Sequence, residues 1–154
     1  MKGNETLVKM LQLRLGEQHA AVLQYMIQSE ISEKWGYSKL ASDLRSIAIQ
    51  EMKHAERHIE RIVFLEYTPD ALKLGMVNIG KTVSEFLEFG RDAETTAVNL
   101  YAATIKAARG FEDVGTAEYL EHILNEEEEH LRYFESQLTL IKQMGIQNYL
   151  STKA

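Results

Sequence analysis

Two pairs of residues in this sequence have the types and the spacing of metal ligands. Glu51 precedes His54 by three residues, and Glu127 precedes His130 by the same interval. Residues three apart on an α-helix are neighbours on one face, so each pair would present a carboxylate beside an imidazole. That combination of ligands suits iron or manganese. A chain this rich in glutamate forms such pairs by chance fairly often, so the two motifs alone are a weak signal.

An internal repeat makes the signal stronger. A shift of the sequence by 76 residues places Glu51 on Glu127 and His54 on His130. The same shift superimposes other pairs: Gln18 on Glu94, Tyr25 on Tyr101, Ile47 on Ile123 and Leu44 on Leu120. Because the two halves echo each other, we expect two half-sites related by a two-fold axis. Two such half-sites in a helical bundle, each with a carboxylate from a further helix, form a di-metal centre.

The repeat is broken at one polar position, where the first half has Gln18 and the second half has Glu94. Three carboxylates leave two ferrous ions with one uncompensated positive charge, whereas a fourth carboxylate would neutralise them. A glutamine oxygen is also a weaker ligand, so we expect weaker metal binding in the Gln18 half. Glu17 is adjacent in sequence but points about 100° away around a helix.

Other polar residues near these motifs have more general interpretations. Tyr25 follows Gln18 by seven residues, two turns along one face, and we expect it to act as a hydrogen-bond partner of a ligand or as an electron donor. His58 is one turn past His54 and is expected to be a hydrogen-bonded core histidine. In the run 126–129 we expect only Glu127 to face inward.

Helices must hold these residues, because the sequence contains a single proline, Pro69, and no long alternating pattern typical of strands. Good helix formers with apolar residues at three- and four-residue steps dominate the rest. We predict helices over residues 4–35, 38–66, 82–109, 115–143 and 146–152. Short links make two antiparallel hairpins, and the long link from Tyr67 to Lys81 crosses the bundle. The predicted fold is all-α, a ferritin-like four-helix bundle with one long crossover and a short fifth helix.

Length and composition exclude several classes of protein. The 154 residues suit one domain, residues 1–154. The absence of cysteine rules out disulfides, zinc-thiolate sites and iron–sulfur clusters, and it fits a reducing cytoplasm. No apolar run exceeds four residues, so we expect no membrane span and no secretory signal. The net charge of −6 makes nucleic acid an improbable partner.

The whole chain resembles a bacterioferritin. The resemblance covers residues 1–150 without a gap, and its most specific matches are the 51–55 block and the crossover Asn78-Ile79-Gly80. The residues that carry it include these: Trp35-Gly36, Glu51-Met52-Lys53-His54-Ala55, Asn78-Ile79-Gly80, Glu127-Glu128-Glu129-His130, Met144-Gly145 and Asn148-Tyr149-Leu150. The resemblance implies a cytoplasmic hollow cage of about 24 subunits with closed symmetry. Such a cage oxidises ferrous iron with oxygen or peroxide and stores it as a ferric mineral.

The resemblance also implies roles for individual residues. Positions 51 and 127 bridge the two irons of a di-iron centre, positions 18 and 94 are terminal ligands, and His54 and His130 each bind one iron. Met52 would be the axial ligand of a haem b shared by two subunits. Ser46 and Gln50 stand where many bacterioferritins carry His and Asp, so a helper iron site on the inner surface is not expected.

Three alternatives remain open. The chain would be a haem-bearing structural subunit with an impaired iron site, assembled with a complete paralogue, and Gln18 favours this. A second alternative is another enzyme with a di-iron or di-manganese centre, such as a small oxidase or a catalase. The Met52 block and the short C-terminal helix count against it. A metal-free interaction bundle must explain the inward polar groups. The sequence does not distinguish a homo-oligomer from a hetero-oligomer.

Overall fold

The computed structural model describes residues 2–71 and 73–154 and confirms the all-α fold. The helices are α1 (Glu5–Lys34), α2 (Ser38–Phe64), α3 (Val83–Gly110), α4 (Val114–Met144) and α5 (Ile146–Ser151). Each lies within two residues of its predicted bounds. Within the described ranges no strand is present, and no helix is long and apolar enough to cross a membrane.

Polar side chains fix where three of the long helices begin. The side-chain oxygens of Asn4, Thr82 and Asp113 accept hydrogen bonds from backbone N–H groups in the first turns of α1, α3 and α4. These caps satisfy donors that have no partner within the helix. At the other end of α4, Gly145 adopts a φ of 80°. That left-handed conformation favours glycine and separates α4 from α5.

The long crossover between α2 and α3 lies along α1. The Gln28 side chain donates to the carbonyl of Ile79 at 2.8 Å, and Gln24 accepts from the backbone N–H of Asn78 at 3.0 Å. Farther along, the backbone N–H of Gly75 donates to a carbonyl of α1 at 2.9 Å. The crossover therefore carries the chain from one hairpin to the other and is tied down by hydrogen bonds.

A layer of buried polar residues divides the apolar core in two. One apolar cluster includes Leu11, Ile62 and Leu120, and the other includes Leu44 and Phe134. The polar layer contains six candidate ligands that are each at most 5% exposed: Gln18, Glu51, His54, Glu94, Glu127 and His130. Burial of so many polar groups costs stability unless each is paired or bound to a ligand, so this layer marks the candidate site.

Candidate metal centre

Three helices bring four candidate ligands together in the middle of the bundle. Glu51 on α2, Glu94 on α3, and Glu127 and His130 on α4 each offer one ligand atom. All four atoms lie within 4.8 Å of one another, and all four residues are buried. Three carboxylates and an imidazole converging on so small a volume could hold a cation.

The remaining two candidates lie against this group on one side. His54 Nδ1 is 2.8 Å from Glu127 Oε1, and Gln18 Nε2 donates to the same oxygen at 2.9 Å. On the other side, His130 Nδ1 is 2.7 Å from Glu51 Oε1 and 3.7 Å from Glu94 Oε1. The structure thus has one half with Gln18 and His54 and another with Glu94 and His130, as the repeat predicts.

Three oxygens of the cluster are buried with no hydrogen-bond partner among the residues that the structure describes: Gln18 Oε1, Glu94 Oε2 and Glu127 Oε2. An unpaired buried polar atom costs from one to several kcal/mol, and more when it is charged. Divalent cations would satisfy all of these atoms at once. The oxygen and nitrogen donors fit iron or manganese, so the residues present are suited to a pair of such ions.

Without cations, protons must balance the charge of the cluster. Burial, with the added charge of Glu127, raises the pKa of Glu51 to about 7 and the pKa of Glu94 well above its usual value. Burial opposes charge on His130, yet its contacts with Glu127 and Glu51 outweigh this and raise its pKa to about 12. Metal binding must therefore displace protons from the site.

Two tyrosines repeat the same contact across the pseudo-two-fold axis. Tyr25 O–H donates to Glu94 Oε1 at 2.7 Å, and Gln18 Nε2 donates to the hydroxyl of Tyr101 at 2.7 Å. Each tyrosine thus reaches across to the terminal position of the opposite half. The direction of the hydrogen bond is reversed in the Gln18 half because an amide N–H replaces a carboxylate.

His58 extends this contact into a chain of hydrogen bonds. Its Nε2 lies 2.6 Å from the Tyr101 hydroxyl and its Nδ1 lies 3.0 Å from the Tyr119 hydroxyl. Burial, with the charge of His54, lowers the pKa of His58 to about 3. The ring is therefore neutral, with one nitrogen to accept and one to donate. His58 is a hydrogen-bonded core histidine, and the repeat places Phe134 at its position in the other half.

Glu126 and Gln50 are residues near the site that the sequence reasoning missed. Glu126 Oε2 lies 2.5 Å from His54 Nε2, and Gln50 Oε1 lies 2.5 Å from His130 Nε2. The expectation that Glu126 only faces solvent is therefore wrong, because its carboxylate contacts a candidate ligand. The 76-residue shift places Gln50 on Glu126, so the two contacts are equivalent in the two halves.

Glu17 lies outside the cluster. Both of its carboxylate oxygens accept hydrogen bonds from Arg14, at 2.6 and 2.8 Å. Gln18, not Glu17, occupies the position equivalent to Glu94. Glu17 nevertheless lines the same cavity as two of the candidate ligands. This cavity has a volume of about 470 Å³, and its lining includes Glu17, Gln18, Asp92 and Glu94. Acidic side chains therefore accompany this approach to the buried ligands.

Met52 lies apart from the metal cluster, on the outer face of α2. Its side chain is 53% exposed although Glu51 beside it is buried. Other apolar residues farther along α2 are also exposed, namely Ile59, Val63 and Phe64. This face offers a thioether and apolar surface to a molecule outside the chain.

Comparison with known proteins adds an independent finding. A ferritin-like domain family matches residues 8–144. A protein of Streptomyces coelicolor named bacterioferritin is 33% identical over 99% of this chain and 91% of its own length. A protein of Synechocystis named bacterial ferritin is 35% identical over 99% of both chains. A third relative, bacterioferritin BfrA of Mycobacterium tuberculosis, is 32% identical over 97% of this chain and 94% of its own length.

Proposed function

The chain belongs to the ferritin-like family, with bacterioferritins among its relatives, and we propose that it oxidises ferrous iron and stores the ferric product in a cage of about 24 copies with closed symmetry. The observation that carries this proposal is the buried convergence of Glu51, Glu94, Glu127 and His130 within 4.8 Å. A structural protein has no evident need for this costly arrangement, whereas a site for two cations requires it.

The geometry supports a specific division of the ligands. Glu51 and Glu127 lie between the two imidazoles, whose ring centroids are 6.2 Å apart, and we assign them as bridges between two irons. Glu94 and His130 would complete the coordination of one iron. Gln18 and His54 would complete the other through the free oxygen of the amide and through Nδ1.

In this proposal, iron is the metal that the site binds and also the substrate that the site oxidises. The 470 Å³ cavity that reaches Gln18 and Glu94 would give ferrous ions a path toward the cluster, whose own carboxylates would attract them. Two ferrous ions lose two electrons on oxidation, which reduce one O₂ to H₂O₂ or one H₂O₂ to two waters. Tyr25 holds Glu94 through its hydroxyl and lies close enough to the site to serve as an electron donor.

We assign Met52 as the ligand of a haem b at an interface between two copies. Its exposed thioether and the exposed apolar residues beyond it suit an apolar macrocycle, and a two-fold axis would supply a second thioether from the other copy. Two thioether ligands would leave a haem no free position, so this group would supply electron transfer when it is bound.

We also assign the protein to the cytoplasm, because its lack of cysteine fits a reducing compartment.

Gln18 favours a second candidate function. A haem-bearing structural subunit in a mixed cage would tolerate an impaired iron site, and Gln18 removes one carboxylate from that site. The convergence of the other ligands favours the ferroxidase, because an abandoned site has no reason to keep three buried carboxylates beside two histidines.

One set of measurements on the chain purified alone tests both candidates. We expect a particle of about 24 subunits, haem absorbance, and oxidation of added ferrous iron. Glu127→Gln should abolish oxidation, and the matched change Glu128→Gln at an exposed neighbour should not. A folded monomer or dimer that takes up no iron would contradict storage. A full cage that binds haem but oxidises no iron, even as Gln18→Glu, would favour the structural subunit.

A further inference from the structure

Each candidate histidine ligand has one polar side chain behind it, on the side away from the cluster. Behind His54 is Glu126, whose Oε2 lies 2.5 Å from Nε2. Behind His130 is Gln50, whose Oε1 lies 2.5 Å from Nε2. The two outer side chains also touch each other, since Gln50 Nε2 donates to Glu126 Oε2 at 2.8 Å.

The two halves of the site exchange a carboxylate for an amide at these positions. In the His130 half, Glu94 is the inner carboxylate and Gln50 is the outer amide. In the His54 half the order is reversed, with an inner amide and an outer carboxylate. Apart from Glu51 and Glu127, each half therefore has one carboxylate. In the His130 half it lies on the inner side of the imidazole, and in the His54 half it lies on the outer side.

We propose that Glu126 is a positioning residue that supplies, through His54, the negative charge that Gln18 fails to supply to the metal. This inference rests on the metal binding proposed above and adds a specific role for a residue outside the ligand set. A carboxylate that accepts a hydrogen bond from the far nitrogen of a ligating imidazole fixes its tautomer and increases its basicity.

The contacts around His54 fit this role. With its proton on Nε2 directed to Glu126, the ring keeps a lone pair on Nδ1, which faces Glu127 and Glu51 at 2.8 and 3.8 Å. The Glu126 side chain is 43% exposed, so a carboxylate at this position does not bear the cost of full burial. Gln50 would orient His130 in the same manner but adds no charge, and that half has Glu94 instead.

The first test measures binding of Co²⁺, which stays divalent in air at these ligands, to the metal-free cage by calorimetry. Glu126→Gln keeps an acceptor for His54 and removes only the charge, and we expect it to weaken one of the two binding steps by about 10- to 100-fold. Glu126→Leu removes the acceptor as well and should weaken the same step further. Glu128→Gln removes an equal charge from an exposed neighbour and should change neither step.

A charge-transfer variant and a crystal measurement make the test specific to His54. Gln18→Glu combined with Glu126→Gln moves the carboxylate from the outer to the inner position, and it should restore affinity at least to that of the unaltered chain. Anomalous scattering from crystals with limiting Zn²⁺ should show that Glu126→Gln lowers occupancy beside His54 and not beside His130.

Two results would overturn the inference in different ways. If two Co²⁺ ions bind and Glu126→Gln behaves like Glu128→Gln, or if it weakens both halves equally, Glu126 has no such role while the proposed metal site stands. If the unaltered chain binds no Co²⁺ at the cluster, the proposed function and this inference both fail.

Discussion

At Gln18, one amide replaces one charge in the proposed site for two divalent cations. At about 4 Å and an effective dielectric near 20, a unit charge changes the interaction energy with another by about 4 kcal/mol before desolvation is subtracted. We predict that Gln18→Glu tightens binding in the His54 half by at least about tenfold, which is 1.4 kcal/mol. It should also speed ferrous oxidation. Side-chain length is unchanged, and Tyr101 would donate to the new carboxylate as Tyr25 donates to Glu94.

Ferrous-iron titrations of the two chains, followed by stopped-flow oxidation, check this expectation. In the unaltered chain, the two binding steps should differ in affinity, and in the variant they should approach each other. Equal affinities and equal rates in both chains would mean that Gln18 is not a ligand position.

His58 gives the stability a pH dependence of known sign. Its pKa is about 3 in the folded chain, because burial and the charge of His54 oppose protonation, and about 6.5 when unfolded. Below pH 6.5 the unfolded chain binds a proton that the folded chain does not. Stability from this residue is therefore present above pH 6.5 and is lost as the pH falls toward 3, with a slope approaching 1.4 kcal/mol per unit.

We predict that His58→Gln makes unfolding less sensitive to acid than in the unaltered chain, even if the variant is less stable at pH 7. Urea unfolding of metal-free protein at pH 7 and pH 5 measures the difference. The matched change His122→Gln, at an exposed histidine, should leave the difference as it was. Parallel pH profiles for His58→Gln and the unaltered chain would show that His58 carries a proton in the folded state.

The residue types and the repeat were enough to predict which side chains meet in the core. They were not enough to find Glu126, because four consecutive glutamates look alike in sequence and only the packing of α4 against α2 decides which one reaches His54. The reversed hydrogen bond between Gln18 and Tyr101 was also beyond sequence, since it depends on where the amide turns within the bundle.

Among the helices, too, some features were predictable from the sequence and others were not. The long helices were predictable because each spans at least 27 residues of mostly good helix formers with no proline. The end of α2 was predicted two residues too late. There the chain turns through Glu66 at a φ of 68°, and Tyr67 N–H bonds back to Ile62. This is the usual closing turn of a helix, but it normally uses glycine or asparagine, so the sequence carried no signal.

A glycine in α3 sets the packing of α4 against it. A Cβ added at Gly90 would lie 2.3 Å from the ring of Phe134, which stacks on Tyr25 at a centroid distance of 5.5 Å. We predict that Gly90→Ala destabilises the protein by about 1–3 kcal/mol, since the ring must move within a packed core. The matched change Gly110→Ala, in the last turn of α3 with nothing within 4 Å, should be neutral or slightly stabilising.

Unfolding by urea, followed by circular dichroism, compares these two alanine variants directly. If Gly90→Ala were tolerated as well as Gly110→Ala, the contact between α3 and α4 at Phe134 would be looser than the structure has it.

For the whole molecule, the proposed metal binding at the polar layer should make stability depend on metal. The metal-free core keeps carboxylates that are partly protonated, and a ligand that binds only the folded state stabilises it by about 2.7 kcal/mol at 100 times its Kd. We predict that Zn²⁺ raises the Tm by about 5–10 °C. The gain should increase as the pH rises through about 7, where Glu51 loses its proton. Thermal scans of Glu127→Gln, with Glu128→Gln as the control, should show the gain lost only in the first.

The last prediction concerns the outer surface, where the proposed assembly and the proposed haem site meet at Met52. The Met52 side chain is exposed on α2 while its neighbour Glu51 is buried, so one helix would serve two centres on different faces. Met52→Leu keeps an apolar side chain of similar volume and removes the sulfur. We expect an intact cage that has lost the low-spin haem spectrum, whereas Met76→Leu, at a more exposed methionine in the crossover, should keep one haem per two subunits. If haem remains low-spin in Met52→Leu, another residue holds it and the assignment of Met52 is wrong.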